Sequence, residues 1–97
     1  MDDISKYMIN DITIGSYSLT VYENYIAIWI LHIKKYYRNQ GYGTKMLRSI
    51  IDKYPNKKFV SSILGGYDNK ASIKIFEKNG FYFDNSNDIL MAYKDTK

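Results

Sequence analysis

The sequence predicts an α+β domain in which a mixed sheet carries helices packed on it. Three observations predict it. Apolar and alternating β-type runs fill the chain up to Ile33. Two stretches after that repeat their apolar residues at helical spacing. Each of those helices is followed by another short β-rich run. The predicted order is β-β-β-α-β-α-β-β.

Residues 1–10 are polar with scattered apolar positions (Ile4, Tyr7, Met8, Ile9) and read as a short strand or an arm. From Ile12 to Val21 apolar residues alternate, with Gly15-Ser16 as an interruption. Two short strands joined by a tight turn are expected there. Glu23-Asn24 supplies the next turn. Tyr25 to Ile33 is apolar on both faces, as in a central strand covered on both sides. A polar loop spans 34–40. Met46, Leu47, Ile50, Ile51 and Tyr54 form one stripe of a helix over 41–54, which Pro55 stops. Lys58 to Leu64 reads as a second buried strand, broken by Gly65-Gly66. Asp68 or Asn69 caps a helix over about 69–79 that Asn79-Gly80 ends. Phe81 to Phe83 and Ile89 to Tyr93 are the last strands, around a turn at Asn85-Ser86-Asn87. No repeat, linker or low-complexity tract divides the chain, so residues 1–97 are expected to form one domain.

Composition narrows the chemistry. The 97 residues include no cysteine, which excludes disulfides, thiolate catalysis and a cysteine zinc site. One histidine, His32, makes a serine–histidine pair or a histidine metal site a poor reading, and no metal is expected. No apolar run approaches the roughly 20 residues that span a bilayer, and the acidic start Met1-Asp2-Asp3 lacks the basic start of a secretory signal. A cytoplasmic protein without membrane partners is expected. The net charge is +4, and it is uneven. Lys34, Lys35, Arg38, Lys45, Arg48, Lys53, Lys57 and Lys58 stand against the single acid Asp52 between residues 34 and 58. Such a field suits a polyanionic small ligand or nucleic acid.

The charge surrounds Arg38-Asn39-Gln40-Gly41-Tyr42-Gly43, at a strand-to-helix junction. Glycines allow close backbone approach, and the helix start offers unpaired N–H groups and a positive dipole end. An anion is the expected guest. The dinucleotide fingerprint G-x-G-x-x-G fails, because Met46 stands where the third glycine belongs. A Gly-Lys-Ser/Thr ending, needed for a nucleotide P-loop, is also absent.

At this point the chain resembles the GNAT superfamily of N-acetyltransferases, as a small, N-terminally truncated member. Leu31-His32-Ile33 followed by Arg38 to Gly43 is similar to its acetyl-CoA motif, Arg/Gln-x-x-Gly-x-Gly/Ala. Asn69, Ala71, Ile73, Ile75, Phe76 and Glu77 to Phe81 look like its second motif, an asparagine opening a helix that ends in Gly-Phe. Together the two cover about residues 25–83. The resemblance implies a mixed, largely antiparallel central sheet and acetyl transfer from CoA to an amine. It implies that the backbone of Asn39, Gln40, Gly41, Tyr42, Gly43 and Thr44 binds the CoA pyrophosphate beside Arg38. Leu31, His32 and Ile33 would pair with the pantetheine arm, in a gap where the strand splays from the one at 58–64. Asn69 would bond the arm or its water, Phe76 occupies a cofactor-side position, and Lys74 or Lys78 would reach the outer phosphate.

The resemblance also marks two departures. Phe76, seven residues after Asn69, stands where the family often has a tyrosine acid. Ala27 stands where some members carry a glutamate base, and the chain has only Glu23 and Glu77. No catalytic residue is assigned; Tyr67 or Tyr93 are substitutes acting through water. Few residues precede Ile12 to form the family's N-terminal strand and helices. The acceptor site is therefore expected to be truncated, open, or completed by a partner chain, as in a homodimer. An acyl-CoA binder without turnover is the second reading, and a basic nucleic-acid module the third. His32 and Trp29 read first as packing residues, Trp29 in the core or cleft wall.

Overall fold

The computed structural model describes residues 4–86 and 88–95. In chain order the main elements are β1 (Ile4–Ile9), β2 (Ile12–Val21), β3 (Tyr25–Ile33), α1 (Tyr42–Lys53), β4 (Lys58–Ser62), α2 (Lys70–Lys78), β5 (Tyr82–Asp84) and β6 (Met91–Lys94). The strands form one sheet in the order β1-β2-β3-β4-β6-β5. Among the described residues only β3 and β4 pair in parallel; the other neighbours are antiparallel. The expected order of element types and the mixed, largely antiparallel sheet are both found.

The first hairpin differs from the sequence reading. The turn is not at Gly15-Ser16 but at Asn10-Asp11, which join Ile9 to its partner Ile12. Both turn residues take positive φ, 50° and 66°. A two-residue hairpin turn of this hand needs that, and Asn and Asp tolerate it. Gly15 lies inside β2, where it faces Tyr7 on one side and Ile33 on the other.

β3 departs from expectation in its second half. Ile26, Ala27 and Ile28 are buried, but Trp29 is 60% exposed and Ile30 40%. The register explains this: Leu19 faces Ile28 while Ser18 faces Ile30, so Trp29 is an extra residue. A bulge of this kind bends the strand and changes which side chains face the core. Trp29 is neither core nor cleft wall; its indole Nε1 donates to Thr20 Oγ1 at 2.7 Å. The pairing of β3 with β4 runs from Tyr25↔Lys58 to Ile28↔Ser61. Their paired residues end where the bulge of β3 begins. There the Ser61 hydroxyl donates to the Ile28 carbonyl at 2.9 Å. The resemblance implies a gap beyond this point, and the paired residues end here, one residue before β4 does.

The core lies between one sheet face and the two helices. Met46, Leu47 and Ile50 of α1 meet Ile26, Ile28 and Phe59 of the sheet and Phe76 of α2. β4 stops at Ser62, earlier than expected, and Leu64 is 90% exposed in the loop beyond. The limits of α2 follow local chemistry. Asn69 Oδ1 accepts from Ser72 N at 3.2 Å, and Asn69 Nδ2 donates to the Leu64 carbonyl at 2.9 Å. At the other end Gly80 (φ 83°) lets its N–H donate to the Glu77 carbonyl and the Phe81 N–H to that of Phe76. The Phe76 and Phe81 rings close this stop edge-to-face at 4.9 Å. Asn69→Ala is expected to lower stability by about 1 kcal/mol, the usual value of such a cap. Chemical denaturation measures it; an unchanged midpoint would mean that solvent replaces both bonds without loss.

Candidate functional site

A groove of about 630 Å³ opens between the end of β3, the loop before α1 and the flank of α2. Its floor is Leu31, His32 and Ile33. One wall is Arg38, Asn39 and Gly41 to Thr44, with Tyr37 at the mouth. The opposite wall is α2, through Ala71, Ser72, Lys74, Ile75 and Lys78.

The loop is held open by its own side chains. Arg38 Nε donates to the Ile33 carbonyl at 2.9 Å, and Gln40 Nε2 donates to the Tyr36 carbonyl at 3.0 Å. Asn39 and Gly41 take positive φ, 62° and 83°. Gly41 is the N-cap of α1 and contributes no capping side chain. The N–H groups of the first turn consequently have no partner inside the helix, and the dipole adds positive potential where they point. Tyr42 meets Tyr37 edge-to-face at 6.0 Å, and Lys45 Nζ lies 5.5 Å from the Tyr42 ring centre. The charged side chains of the lining are Arg38, Lys74 and Lys78, all cationic.

The two glycines of the loop serve different needs. A Cβ on Gly41 would meet nothing within 4 Å, so its requirement is the positive φ. A Cβ on Gly43 would lie 2.5 Å from Ile75 Cδ1. Gly43 thus lets α1 pass close to α2 and keeps both walls near one ligand.

Most of the sequence-predicted site residues converge here: Leu31, His32, Ile33, Arg38, Asn39, Gly41, Tyr42, Gly43 and Thr44. Gln40, Asn69 and Phe76 are not in the lining. Gln40 braces the loop, Asn69 caps α2, and Phe76 is 3% exposed within the core. His32 is exposed rather than packed. Both candidate lysines, Lys74 and Lys78, line the groove. Tyr37, which with Tyr36 reads from the sequence as shaping the mouth of such a groove, is in the lining. Ala71, Ser72 and Ile75 were missed as lining residues and follow from helical spacing around Lys74 and Lys78 once α2 is placed. Tyr67 lines a separate depression with Leu64, Gly65 and Leu90. Burial, and secondarily the charge of Tyr42, raises the pKa of the Tyr7 phenol. Tyr82, away from the groove, is raised by desolvation and then by Asp95.

The groove is thus a positively charged cleft behind a glycine turn and a helix start, beside a bulged strand. The model of the Acetyltransferase (GNAT) family matches residues 7–81. The chain belongs to that family. No protein of curated function matches it in sequence. Solved structures match this GNAT chain in fold. A Thermus thermophilus acetyltransferase aligns with a TM-score of 0.77 at 12% identity, over 94% of this chain and 62% of its own. The PaiA N-acetyltransferase of Thermoplasma acidophilum, solved with coenzyme A, gives 0.73 at 19%, over 96% and 61%. A Bacillus subtilis acetyltransferase in complex with CoA gives 0.81 at 14%, over 99% and 78%. The GNAT chain thus spans about three fifths of the length of the first two. At these identities the likeness is one of fold.

Proposed function

We propose that the chain binds acetyl-CoA in the groove and transfers the acetyl group to an amine, in the cytoplasm. The observation that carries the proposal is the groove's composition. The first turn of α1, whose N–H groups have no partner inside the helix, lines the groove together with Arg38, Lys74 and Lys78, and no carboxylate is in the lining. That suits a phosphate-bearing ligand. The CoA held by structures of the same fold supports the choice of anion. The floor at Leu31 to Ile33 lies on the stretch of β3 beyond its pairing with β4. An extended arm has a strand edge there to pair with. In the proposed reaction a deprotonated amine attacks the thioester carbonyl, the carbon–sulfur bond breaks, and the departing thiolate takes up a proton.

One observation favours a second reading, in which acyl-CoA binds without turnover. Phe76 and Ala27, at the two positions where the family often keeps its acid and base, are buried and carry no proton to exchange. Both readings are tested by thiol release from acetyl-CoA with a panel of amines, peptides and polyamines. Release with at least one amine is expected. Binding of CoA without release from any amine would leave the second reading. Phe76→Tyr is expected to raise turnover several-fold where only the acid is lacking. It should also lower stability by roughly 1–3 kcal/mol if the buried hydroxyl finds no partner. A wild type already as fast as the variant would remove the acid from the account.

A further inference from the structure

Asn79 is the C-cap residue of α2 and is 3% exposed. Its side chain is fully engaged. Nδ2 donates to the Thr44 carbonyl at 3.2 Å and to the Ile75 carbonyl at 3.0 Å. Oδ1 accepts from Arg48 Nε at 2.8 Å. A buried amide is tolerated only when bonded in this way. The helix stop does not require it, because the backbone of Gly80 and Phe81 already satisfies the carbonyls of Glu77 and Phe76.

What the amide does is join two helices. Thr44 is in the first turn of α1, whose free N–H groups form one wall of the groove. Ile75 is in α2, between the groove residues Lys74 and Lys78. The apolar contact of Gly43 with Ile75 brings the walls together but has no preferred direction. Hydrogen bonds do have direction. Arg48 adds a lock: with Oδ1 held by the guanidinium, Nδ2 must face the two carbonyls.

We propose that Asn79 is a positioning residue for the groove, holding the first turn of α1 at a set distance from the cationic flank of α2. The helix-start N–H groups, Lys74 and Lys78 then act together on one anion. This rests on the reading of the groove as a CoA site. Small displacements matter in such a site, because its donors must be in place before the ligand arrives.

The test is calorimetric titration of the whole chain with CoA, alongside thermal melting. Asn79→Leu keeps the size and removes all three bonds; about tenfold weaker CoA binding is expected. Arg48→Met frees the amide to turn, and about threefold weaker binding is expected. Ile50→Val, buried in α1 away from the groove, supplies a melting loss without a change in the clamp, and CoA affinity within twofold of wild type is expected. A folded Asn79→Leu protein with wild-type affinity overturns the proposal and leaves the CoA reading intact. So does an affinity loss in Ile50→Val as large as that of Asn79→Leu, since stability alone would then account for it. If Asn79→Leu does not fold, Arg48→Met decides, and unchanged affinity there overturns the clamp. A wild type that does not bind CoA overturns the reading of the groove and the clamp with it.

Discussion

Gly15→Ala is expected to destabilise the protein by about 2–3 kcal/mol, the range for inserting a methyl where packing leaves no room. In a domain of this size that lowers the melting temperature by roughly 10–20 °C. The reason is geometric. The new Cβ would lie 2.2 Å from the His32 carbonyl oxygen and 3.2 Å from its carbon. These are backbone atoms of the neighbouring strand, so no rotamer change relieves the clash. The strands must separate, at the price of bonds around Ile33 and of the Lys34 N–H donated to the Ile14 carbonyl at 2.9 Å. His32 and Ile33 are also the floor of the groove, so a loss of CoA affinity should accompany the loss of stability. Circular dichroism melts of the two proteins measure the first effect. A variant melting within 2 °C of wild type would mean that β2 and β3 have slack the structure does not show.

Gly43→Val is expected to weaken CoA binding by about thirtyfold or more, equivalent to about 2 kcal/mol. Its Cβ would meet Ile75 Cδ1 at 2.5 Å and Cγ1 at 3.2 Å, and the two methyls of valine extend the overlap. Relief requires α1 to move away from α2, which pulls the helix-start N–H groups from Lys74 and Lys78. The alanine variant separates this cause from others. Ile75 Cδ1 is the end of a flexible side chain, so Gly43→Ala should cost far less than valine. Adding Ile75→Val, which removes that methyl, should restore most of the alanine loss. A double-mutant cycle in calorimetry measures the coupling. Additive effects would show that Gly43 is needed for approach to the ligand and not for approach to α2.

The features legible in the sequence were those fixed by neighbours along the chain. The stripe of Met46, Leu47 and Ile50 marked α1 and its buried face. Asn69 and Gly80 marked the ends of α2, because a cap is a bond within four residues and a left-handed stop is one residue's φ. The run from Arg38 to Gly43 was legible as the turn that opens α1, and residues of it line the groove.

Errors arose where a residue's role is set by a distant strand or helix. Gly15 read as a turn; its real constraint is the carbonyl of His32, seventeen residues away on the next strand. Trp29 read as core or cleft wall, but one bulged residue moved it out. Asn79 read only as part of a helix stop, since nothing local reveals that its amide reaches Thr44, 35 residues earlier.

The sequence by itself determined the order of element types, the glycine turn before α1 and, through its two motifs, the family. The elements and the turn are written in short-range backbone preference and periodic apolar spacing, the family in the residue types of its motifs. Only the tertiary structure decided the width and walls of the groove. Those depend on the strand register, where one extra residue redirects a strand, and on the contact of two helices across Gly43, Ile75 and Asn79.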